Sequence, residues 1–301
     1  MNKERIVIIA GPTASGKSAL AIDLALAFNG EIVSADSMQV FKRMDIGTAK
    51  PSRTDLQKVP HHLIDIIEPN EDYTAARFRN DALKAIADIR SREKNVFIVG
   101  GTGLYIKALT QGLFPGPEAD PDLRKTLEKE GSDALYERLK LIDPETAASI
   151  HPNNRVRVVR ALEVYELTGT TMSAFQKDHG FKDESFDCLK VSLDIPREAL
   201  YRRIDDRVDG MIEAGLVDET RRLFDADFGW GLKPMLGLGY KEVSMFLRGE
   251  CALPEAIELL KRNTRRYAKR QMTWFKADPE IKWFSPEDKK RIFETVKGHL
   301  C

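Results

Sequence analysis

The N-terminal region contains a predicted phosphate-binding loop, Gly11-Pro12-Thr13-Ala14-Ser15-Gly16-Lys17-Ser18. An apolar run precedes it and helix-forming residues follow it, which is the strand–loop–helix context that such a loop requires. The backbone N–H groups of the turn and the start of the helix attract anions. In such a loop Lys17 reaches the terminal phosphates and the Ser18 hydroxyl binds Mg2+. The predicted diphosphate-binding residues are Gly11, Thr13, Ala14, Ser15, Gly16, Lys17 and Ser18. The loop alone leaves open whether the chemistry is phosphoryl transfer.

A carboxylate, Asp36, follows the second predicted strand, 31–35. At the end of a strand, a carboxylate that faces the phosphate-binding loop can accept a proton from an attacking nucleophile. The alternative is an aspartate that only stabilises a turn or a helix N-cap. Its neighbours Ser37 and Gln39 offer hydrogen-bonding groups suited to a base edge or a sugar.

The third apolar run, 95–99, ends in Gly100-Gly101-Thr102-Gly103. Nucleotide hydrolases with this type of loop end a comparable strand in an acid that supports Mg2+. The absence of such an acidic residue after 95–99 argues against an ATP-driven motor. The glycines permit the close approach of a bulky ligand, and Thr102 offers a hydroxyl. The alternative interpretation is a tight turn only.

Basic residues cluster at 261–270, where two series of cations repeat at i, i+4 and i+8. The series are Lys261, Arg265 and Lys269, and Arg262, Arg266 and Arg270. Like charges at this spacing destabilise a helix by a few tenths of a kcal/mol per pair. The cluster therefore favours a polyanionic ligand such as RNA. The alternative is a solvated face that is partly paired with acidic residues elsewhere. Further arginines occur at 155, 157 and 160, and at 202, 203 and 207, where one can clamp a pyrophosphate.

The elements that position these groups predict an α/β fold. A strand–loop–helix–strand order over 6–35 forms a βαβ unit, and the loops after parallel strands converge at the carboxyl edge of the sheet. Thr74 is a predicted N-cap for a helix with Phe78, Ala82, Ile86 and Ile89 on one face. The stretch 41–72 lacks strong periodicity and is typical of a long functional loop with short structured pieces.

The domain organisation follows from a change in composition. From about 121 to about 185 the sequence pattern predicts helices and few strands, and a strand-like pattern resumes at 189. We therefore expect a P-loop NTPase-like parallel sheet flanked by helices and interrupted by an all-α insertion domain. Residues 1–117 and 190–301 form the discontinuous core, and residues 118–189 form the insertion.

The bulk properties limit the function classes. The 301 residues contain 47 Lys and Arg against 47 Asp and Glu, so the net charge is zero. This argues against a generally basic nucleic-acid binder, although not against a local basic face. Three cysteines without metal-ligand spacing suit a reducing cytosol. A signal-peptide pattern is absent, and so is an apolar run near the ~18 residues of a membrane span, so a cytoplasmic protein is expected.

Several segments, in order along nearly the whole chain, resemble the tRNA dimethylallyltransferase (tRNA isopentenyltransferase, IPP transferase) family. They are 11–18, Asp36-Ser37-Met38-Gln39, the 44–51 stretch, 100–105, His151-Pro152-Asn153-Asn154 with 160–163, Gly239-Tyr240-Lys241-Glu242, and 269–274. The loop is shared by many families, but the set together is specific. One departure is Val156, where the family often has a glutamine ahead of Arg157.

The resemblance implies transfer of a dimethylallyl group from dimethylallyl diphosphate to N6 of adenosine 37 in tRNAs that read codons beginning with U. It implies that the loop and Arg207 bind the pyrophosphate leaving group, with Mg2+ beside Ser18. It makes Asp36 the base that takes the proton from the adenine amino group, and it places Thr102 in the reaction channel. The implied tRNA contacts are Asp36, Ser37, Met38, Gln39, Thr102, Arg124, Arg157, Arg160, Tyr240, Lys241, Lys269 and Arg270. A monomer is expected.

Other functions remain open from the sequence. A kinase of the same loop type would use Asp36 to bind an acceptor hydroxyl, but it leaves the basic cluster unexplained. An isopentenyltransferase for free adenine nucleotides has no need of a helical insertion of this size. A non-catalytic RNA-binding module disagrees with a complete phosphate-binding loop beside Asp36.

Overall fold

The computed structural model describes residues 3–114, 116–180 and 185–301. The chain divides into two compact units. Unit 1 comprises Met1–Thr110 and Glu184–Cys301, and unit 2 comprises Gln111–Asp183. Within the described ranges, no helix combines the length and the apolar character that crossing a membrane requires.

Unit 1 contains the strands β1 (Glu4–Ala10), β2 (Gly30–Ser34), β3 (His61–His62), β4 (Asn95–Gly100), β5 (Phe186–Leu193) and β6 (Ile281–Phe284). They form one parallel sheet in the order β3-β2-β4-β1-β5-β6. Ile8 of β1 lies beside Ile98 of β4 and Lys190 of β5. Residues 6–9 are fully buried, as expected for a parallel sheet covered on both faces. The predicted α/β fold with a helix-flanked parallel sheet is confirmed.

The helices are α1 (Lys17–Ala27), α2 (Arg53–Lys58), α3 (Ala75–Ser91), α4 (Gly103–Gln111), α5 (Pro121–Leu127), α6 (Ser132–Ile142), α7 (Pro144–Ser149), α8 (Arg155–Thr168), α9 (Met172–His179), α10 (Arg197–Glu213), α11 (Leu216–Asp225), α12 (Tyr240–Leu247), α13 (Leu253–Lys276) and α14 (Lys289–Leu300). A short 3-10 helix covers Lys233–Leu236. The Thr74 hydroxyl accepts a hydrogen bond from the Arg77 N–H at 3.1 Å and so caps α3. The helix buries its predicted face, from Phe78 to Ile89, against the sheet.

The long segment between β2 and α3 contains only α2 and β3 as regular structure, in line with the predicted loop. Its first part is held by Glu219 of α11, which is 4% exposed. The Glu219 carboxylate accepts hydrogen bonds from the N–H groups of Asp45, Ile46 and Gly47 at 2.9–3.1 Å. Because three consecutive N–H groups converge on one buried carboxylate, the segment has a fixed conformation.

Unit 2 contains helices α5 to α9 around an apolar core that includes Leu135, Leu139 and Leu162. Glu163 of α8 is fully buried within this unit and accepts hydrogen bonds from Arg124 and Arg160. The borders of unit 2 lie 6–7 residues before the predicted 118–189, since β5 already begins at Phe186. At the start of the stretch predicted to be helical, α5 and α6 are separate helices, and Gly131 lies between them.

Candidate active site

A cavity of about 1110 Å3 lies at the carboxyl ends of β1, β2 and β4 in unit 1. The phosphate-binding loop, the turn at 36–39 and the segment 47–52 form part of its wall. Residues of α10 and α13 form much of the remainder. The structure therefore brings two of the three predicted loops, together with Gly100 of the third, to one cavity.

The phosphate-binding loop has the conformation that its glycines allow. Gly16 has a φ of 89° and directly precedes α1, and Ala14 has a φ of 61°. The Lys17 ammonium donates to the Pro12 carbonyl at 3.2 Å. Burial, and then the nearby charge of Arg207, lower the pKa of Lys17 to about 8, while Asp36 opposes the shift. A bound anion would relieve the cost of this buried cation.

Two arginines of α10, Arg203 and Arg207, lie one helical turn apart and line the cavity. Burial lowers the pKa of the Arg207 guanidinium, and the charge of Asp36 opposes this. Arg203 Nη1 is 4.0 Å from the position that a Cβ atom on Gly16 would occupy. Both guanidinium groups therefore lie near the phosphate-binding loop, although only Arg207 was predicted to bind the diphosphate. Arg202 is exposed and is not part of the cavity wall.

Asp36 has features of both roles that the sequence left open, since it stabilises a turn and also faces the cavity. Its Oδ1 accepts hydrogen bonds from the N–H groups of Met38 at 2.9 Å and Gln39 at 3.4 Å, so it stabilises a turn. It also lines the cavity and interacts electrostatically with Lys17 and Arg207. Within the described ranges no hydrogen bond reaches Oδ2. The turn therefore fixes the carboxylate and leaves one oxygen for a ligand.

Thr102 is tied to the same turn. Its hydroxyl accepts a hydrogen bond from the Ser37 N–H at 3.1 Å, and its own N–H donates to the Ala35 carbonyl at 3.2 Å. Thr102 is thus hydrogen-bonded to both neighbours of Asp36 in the chain, although Thr102 is not among the residues that line the cavity.

The glycines around Thr102 leave room for close contacts within the protein. A Cβ atom on Gly100 would overlap the backbone of Ala35, and one on Gly101 would overlap the side-chain amide of Gln271. On Gly103 it would overlap the indole of Trp274. The protein itself therefore makes a close approach at each of these glycines, and Gly100 also lines the cavity.

The basic cluster on α13 is partly neutralised. Lys261 forms an ion pair with Asp209 at 2.7 Å, and Arg265 forms one with Asp205. Both acidic residues belong to α10, which packs along α13. For these two residues the structure agrees with the alternative of a face partly paired with acidic residues elsewhere. Four cations of the cluster are exposed, Arg262, Arg266, Lys269 and Arg270, and two of them, Arg266 and Arg270, line the cavity.

Tyr240 cannot be a surface contact for tRNA in this structure, because its side chain is fully buried. Its hydroxyl donates to Glu219 at 2.7 Å, and its ring lies against Gly47. Its neighbour Lys241 does line the cavity. Tyr240 therefore supports the cavity wall, and the prediction of a tRNA contact is corrected for this residue.

The side chain of Gln39 is also occupied within the protein. Its Oε1 accepts from the Ser34 hydroxyl at 3.0 Å, and its Nε2 donates to the carbonyls of Thr48 and Ala49. Gln39 lines the cavity together with Ser37 and Met38, which precede it in the turn.

In unit 2, two of the three predicted tRNA-binding arginines have an internal role. Arg124 donates to Glu163 through Nε and Nη2, both at 2.8 Å. Arg160 donates to the same carboxylate at 2.6 Å and to the Pro117 carbonyl at 2.7 Å. Arg157 is exposed. The two paired arginines stabilise a buried anion, which the sequence analysis did not anticipate.

Gln271, which lies in the family-like segment 269–274, and Tyr267 received no individual role from the sequence, yet both line the cavity. Burial raises the pKa of Tyr267 to about 12, and the charge of Asp36 adds to this. Gln271 is 7% exposed and lies on the packed face of the helix with Ala268 and Phe275. Since a buried amide needs hydrogen-bond partners, its place on this face was the available signal.

The comparisons with known proteins agree with this architecture. A sequence model of the family described as IPP transferase matches residues 39–278. The tRNA dimethylallyltransferase 1 of Citrifermentans bemidjiense is 53% identical over 99% of this chain and 96% of its own length. The tRNA dimethylallyltransferase of Geobacter metallireducens is 54% identical over 98% of this chain and 97% of its own length.

Solved structures are also similar to this chain over nearly its whole length. The full-length tRNA isopentenylpyrophosphate transferase of Bacillus halodurans is 42% identical, with a TM-score of 0.75, and the match covers 99% of this chain and 97% of that one. A eukaryotic dimethylallyltransferase described as acting on tRNA is 31% identical, with a TM-score of 0.80, and the match covers 98% of this chain and 77% of that one. With a family model that spans most of its residues and relatives that are similar over nearly their whole length, the chain belongs to the IPP transferase family.

Proposed function

We propose that this chain transfers a dimethylallyl group from dimethylallyl diphosphate to N6 of adenosine 37 in tRNAs that read codons beginning with U. The supporting observation is the cavity of unit 1, which combines a phosphate-binding loop, two arginines and the carboxylate of Asp36. Relatives that are 53% and 54% identical to this chain are named tRNA dimethylallyltransferase.

The reaction forms a bond between N6 of the adenine and C1 of the prenyl group, and it breaks the bond between C1 and the diphosphate oxygen. The electron pair of that bond leaves with pyrophosphate, and the proton on N6 passes to Asp36. Because the exocyclic amine is a poor nucleophile, a positioned carboxylate accelerates the step. Oδ2 of Asp36 is the acceptor, since Oδ1 already holds the turn.

The leaving group is stabilised by the cations around the loop. N–H groups of the loop, Lys17 and Arg207 meet the charge that develops on the pyrophosphate, and Arg203 adds a second guanidinium. The proposed loop contacts remain Gly11, Thr13, Ala14, Ser15, Gly16, Lys17 and Ser18. Thr102 would help to hold the adenine base, which must leave the stack of the anticodon loop to reach Asp36.

The tRNA contacts that we propose are the exposed or cavity-lining groups. In unit 1 they are Ser37, Met38, Lys241, Arg266, Lys269 and Arg270, and in unit 2 the contact is Arg157. Unit 2 as a whole is proposed to bind tRNA. A monomeric state and a cytoplasmic location stay predictions.

Mg2+ is proposed as the cofactor. Among the described residues no cluster of three or more His, Cys, Asp or Glu side chains is arranged to hold a metal ion. Ser18 lines the cavity with an exposed hydroxyl, which fits an ion that takes most of its ligands from substrate phosphates and water. When bound, Mg2+ would neutralise charge on the pyrophosphate. We therefore expect Mg2+ to bind together with the diphosphate.

A paired assay tests the proposal. Purified protein receives unmodified tRNA with radiolabelled dimethylallyl diphosphate and Mg2+, and in parallel ATP with AMP or a hydroxylated acceptor. Label in tRNA without nucleotide hydrolysis is the expected result. Label in AMP alone would indicate an enzyme for free nucleotides, and ATP turnover without prenyl transfer would indicate a kinase.

A further inference from the structure

The side-chain amide of Gln271 connects two loops of the active site. Its Oε1 accepts a hydrogen bond from the Thr13 N–H, and its Nε2 donates to the Gly101 carbonyl, both at 2.9 Å. The space for this amide exists because residue 101 is glycine, since a Cβ atom there would overlap Nε2. Both polar ends of one buried side chain are therefore used to join main-chain segments.

The loop that contains Gly101 is linked to the groups proposed to meet the adenine, Thr102 and Asp36. Thr102 follows Gly101, and its hydroxyl accepts from the Ser37 N–H at 3.1 Å. Its N–H donates to the carbonyl of Ala35, so that Asp36 lies between two anchored residues. A continuous series of hydrogen bonds thus runs from the phosphate-binding loop, through Gln271, to the turn that carries Asp36.

We propose that Gln271 is a positioning residue that couples the occupied phosphate-binding loop to the placement of Thr102 and Asp36. It acts through main-chain groups and does not touch the reacting atoms. The inference rests on the proposed function and adds a requirement within it: the donor diphosphate, once bound, sets the geometry of the acceptor end.

The physical reason is the geometric tolerance of the reaction. A displacement of about 1 Å at a reacting group can cost about 100-fold in rate. Without the bridge, Thr13 and Gly101 lose a shared partner, and each loop relaxes separately. The loss therefore falls on the chemical step more than on the binding of either substrate.

Two variants separate this role from general loss of structure. Gln271→Ala removes both hydrogen bonds. Gln271→Glu keeps an oxygen that accepts from the Thr13 N–H, but an ionised carboxylate has no hydrogen to donate to the Gly101 carbonyl. When protonated, the same side chain regains an O–H donor. Burial next to a carbonyl raises the pKa of this carboxyl group, so acidification restores the bridge.

The first readout is turnover. We expect Gln271→Ala to lower kcat about 10- to 100-fold while the KM for dimethylallyl diphosphate changes less than about threefold. For Gln271→Glu, the ratio of its kcat to that of the unsubstituted enzyme should rise at least about threefold between pH 8 and pH 6. The ratio cancels the titration of Asp36, which both proteins share.

The second readout is coupling between the two substrates. The Kd for tRNA is measured with and without the unreactive thiolodiphosphate analogue of the donor, in the presence of Mg2+. In the unsubstituted enzyme we expect the analogue to tighten tRNA binding at least about fivefold. In Gln271→Ala this factor should fall to within about twofold of unity, a change that a mere loss of stability would not produce.

Asn95→Ala is the matched control. Asn95 is also an amide side chain that donates to a main-chain carbonyl, that of Phe28 at 2.7 Å. It begins β4, whereas Gly100 ends that strand at the cavity. Its loss should reduce stability and leave both kcat and the coupling factor within about twofold of the original values.

The outcomes are distinguishable. If the unsubstituted protein does not prenylate tRNA, the proposed function fails. If it does, but Gln271→Ala retains kcat or the coupling factor, or Gln271→Glu shows no recovery at low pH, the inference about Gln271 is wrong and the proposed function stands. Thermal unfolding of every variant confirms that the folded protein is compared.

Discussion

Lys17 and Arg207 place two cationic groups in one cavity, and the charge of Arg207 acts on Lys17. Burial, and then the charge of Arg207, lower the pKa of Lys17 to about 8, with Asp36 opposing. The two side chains are 190 positions apart in the sequence, Lys17 at the start of α1 and Arg207 in α10. The free enzyme thus holds unfavourable positive charge where a diphosphate is proposed to bind.

Diphosphate binding should therefore take up protons. A bound anion raises the pKa of Lys17 above its value in the free protein, so affinity is complete below about pH 8 and falls as the pH rises through the higher value. At about pH 8 we expect an uptake of about half a proton per bound pyrophosphate. Calorimetry in two buffers of different ionisation enthalpy measures this number.

Lys17→Arg provides the control, because arginine keeps the charge and does not titrate in this range. The uptake should be about half a proton lower in this variant, because proton exchange by the pyrophosphate itself is common to both proteins. Uptake of equal size in both proteins would show that another group is responsible.

Asp36→Asn should lose turnover by about 100- to 10,000-fold, since it removes the proposed general base. The asparagine oxygen can still accept from the Met38 N–H, so the turn is preserved. Removing a negative charge beside Lys17 and Arg207 should leave pyrophosphate binding equal or tighter. Single-turnover kinetics with calorimetry separate the two effects. The control is Asp225→Asn at the exposed end of α11. Normal single-turnover rates in Asp36→Asn would remove Asp36 from the role of base.

The cations of α13 should differ in their contribution to tRNA binding. Arg266 and Arg270 are exposed at the cavity, whereas Arg265 is paired with Asp205. The double substitution Arg266→Ala with Arg270→Ala should reduce the slope of log K against log salt by about 1.4, at about 0.7 per contact with single-stranded RNA. Filter binding across a salt series gives the slope. Arg265→Ala serves as the comparison, with an unchanged slope; equal reductions in both proteins would contradict the assignment.

Glu163 should be a stability determinant of unit 2. Burial alone raises the pKa of its carboxyl group, but hydrogen bonds from Arg124 and Arg160 outweigh this and hold the pKa below its ordinary value. Glu163→Gln should lower the free energy of unfolding by about 3 kcal/mol near neutral pH, because it leaves two partly buried cations without an anion. The folded pKa is depressed, so this stability is present above about pH 4.3 and is lost as the pH falls through the folded value.

Urea unfolding of the variant at neutral and acidic pH measures this difference. Glu166→Gln is the matched control, because Glu166 pairs with Arg138 at the surface and its loss should cost at most about 1 kcal/mol. Equal effects of the two substitutions would show that the buried ion pairs of Glu163 contribute no more to stability than a surface ion pair does.

The sequence by itself determined the features that depend on short-range patterns. The phosphate-binding loop, the βαβ order, and α3 with its Thr74 cap and buried face follow from residues within one or two turns of each other. Glycine spacing, capping and apolar periodicity are local properties, so they can be recognised before the fold is known. Asp36 and Arg207 were also chosen from the sequence, and both line the cavity.

The tertiary structure alone decided which polar groups pair with one another. The partners Arg124 and Glu163 are 39 positions apart, Lys261 and Asp209 are 52 apart, and Thr13 and Gln271 are 258 apart. Whether a cation is available to RNA, or an amide bridges two loops, depends on which helices pack together, and that information is not present in any one segment. Tyr240 shows the same limit, since only the packing of α12 against Glu219 and Gly47 removes its side chain from solvent.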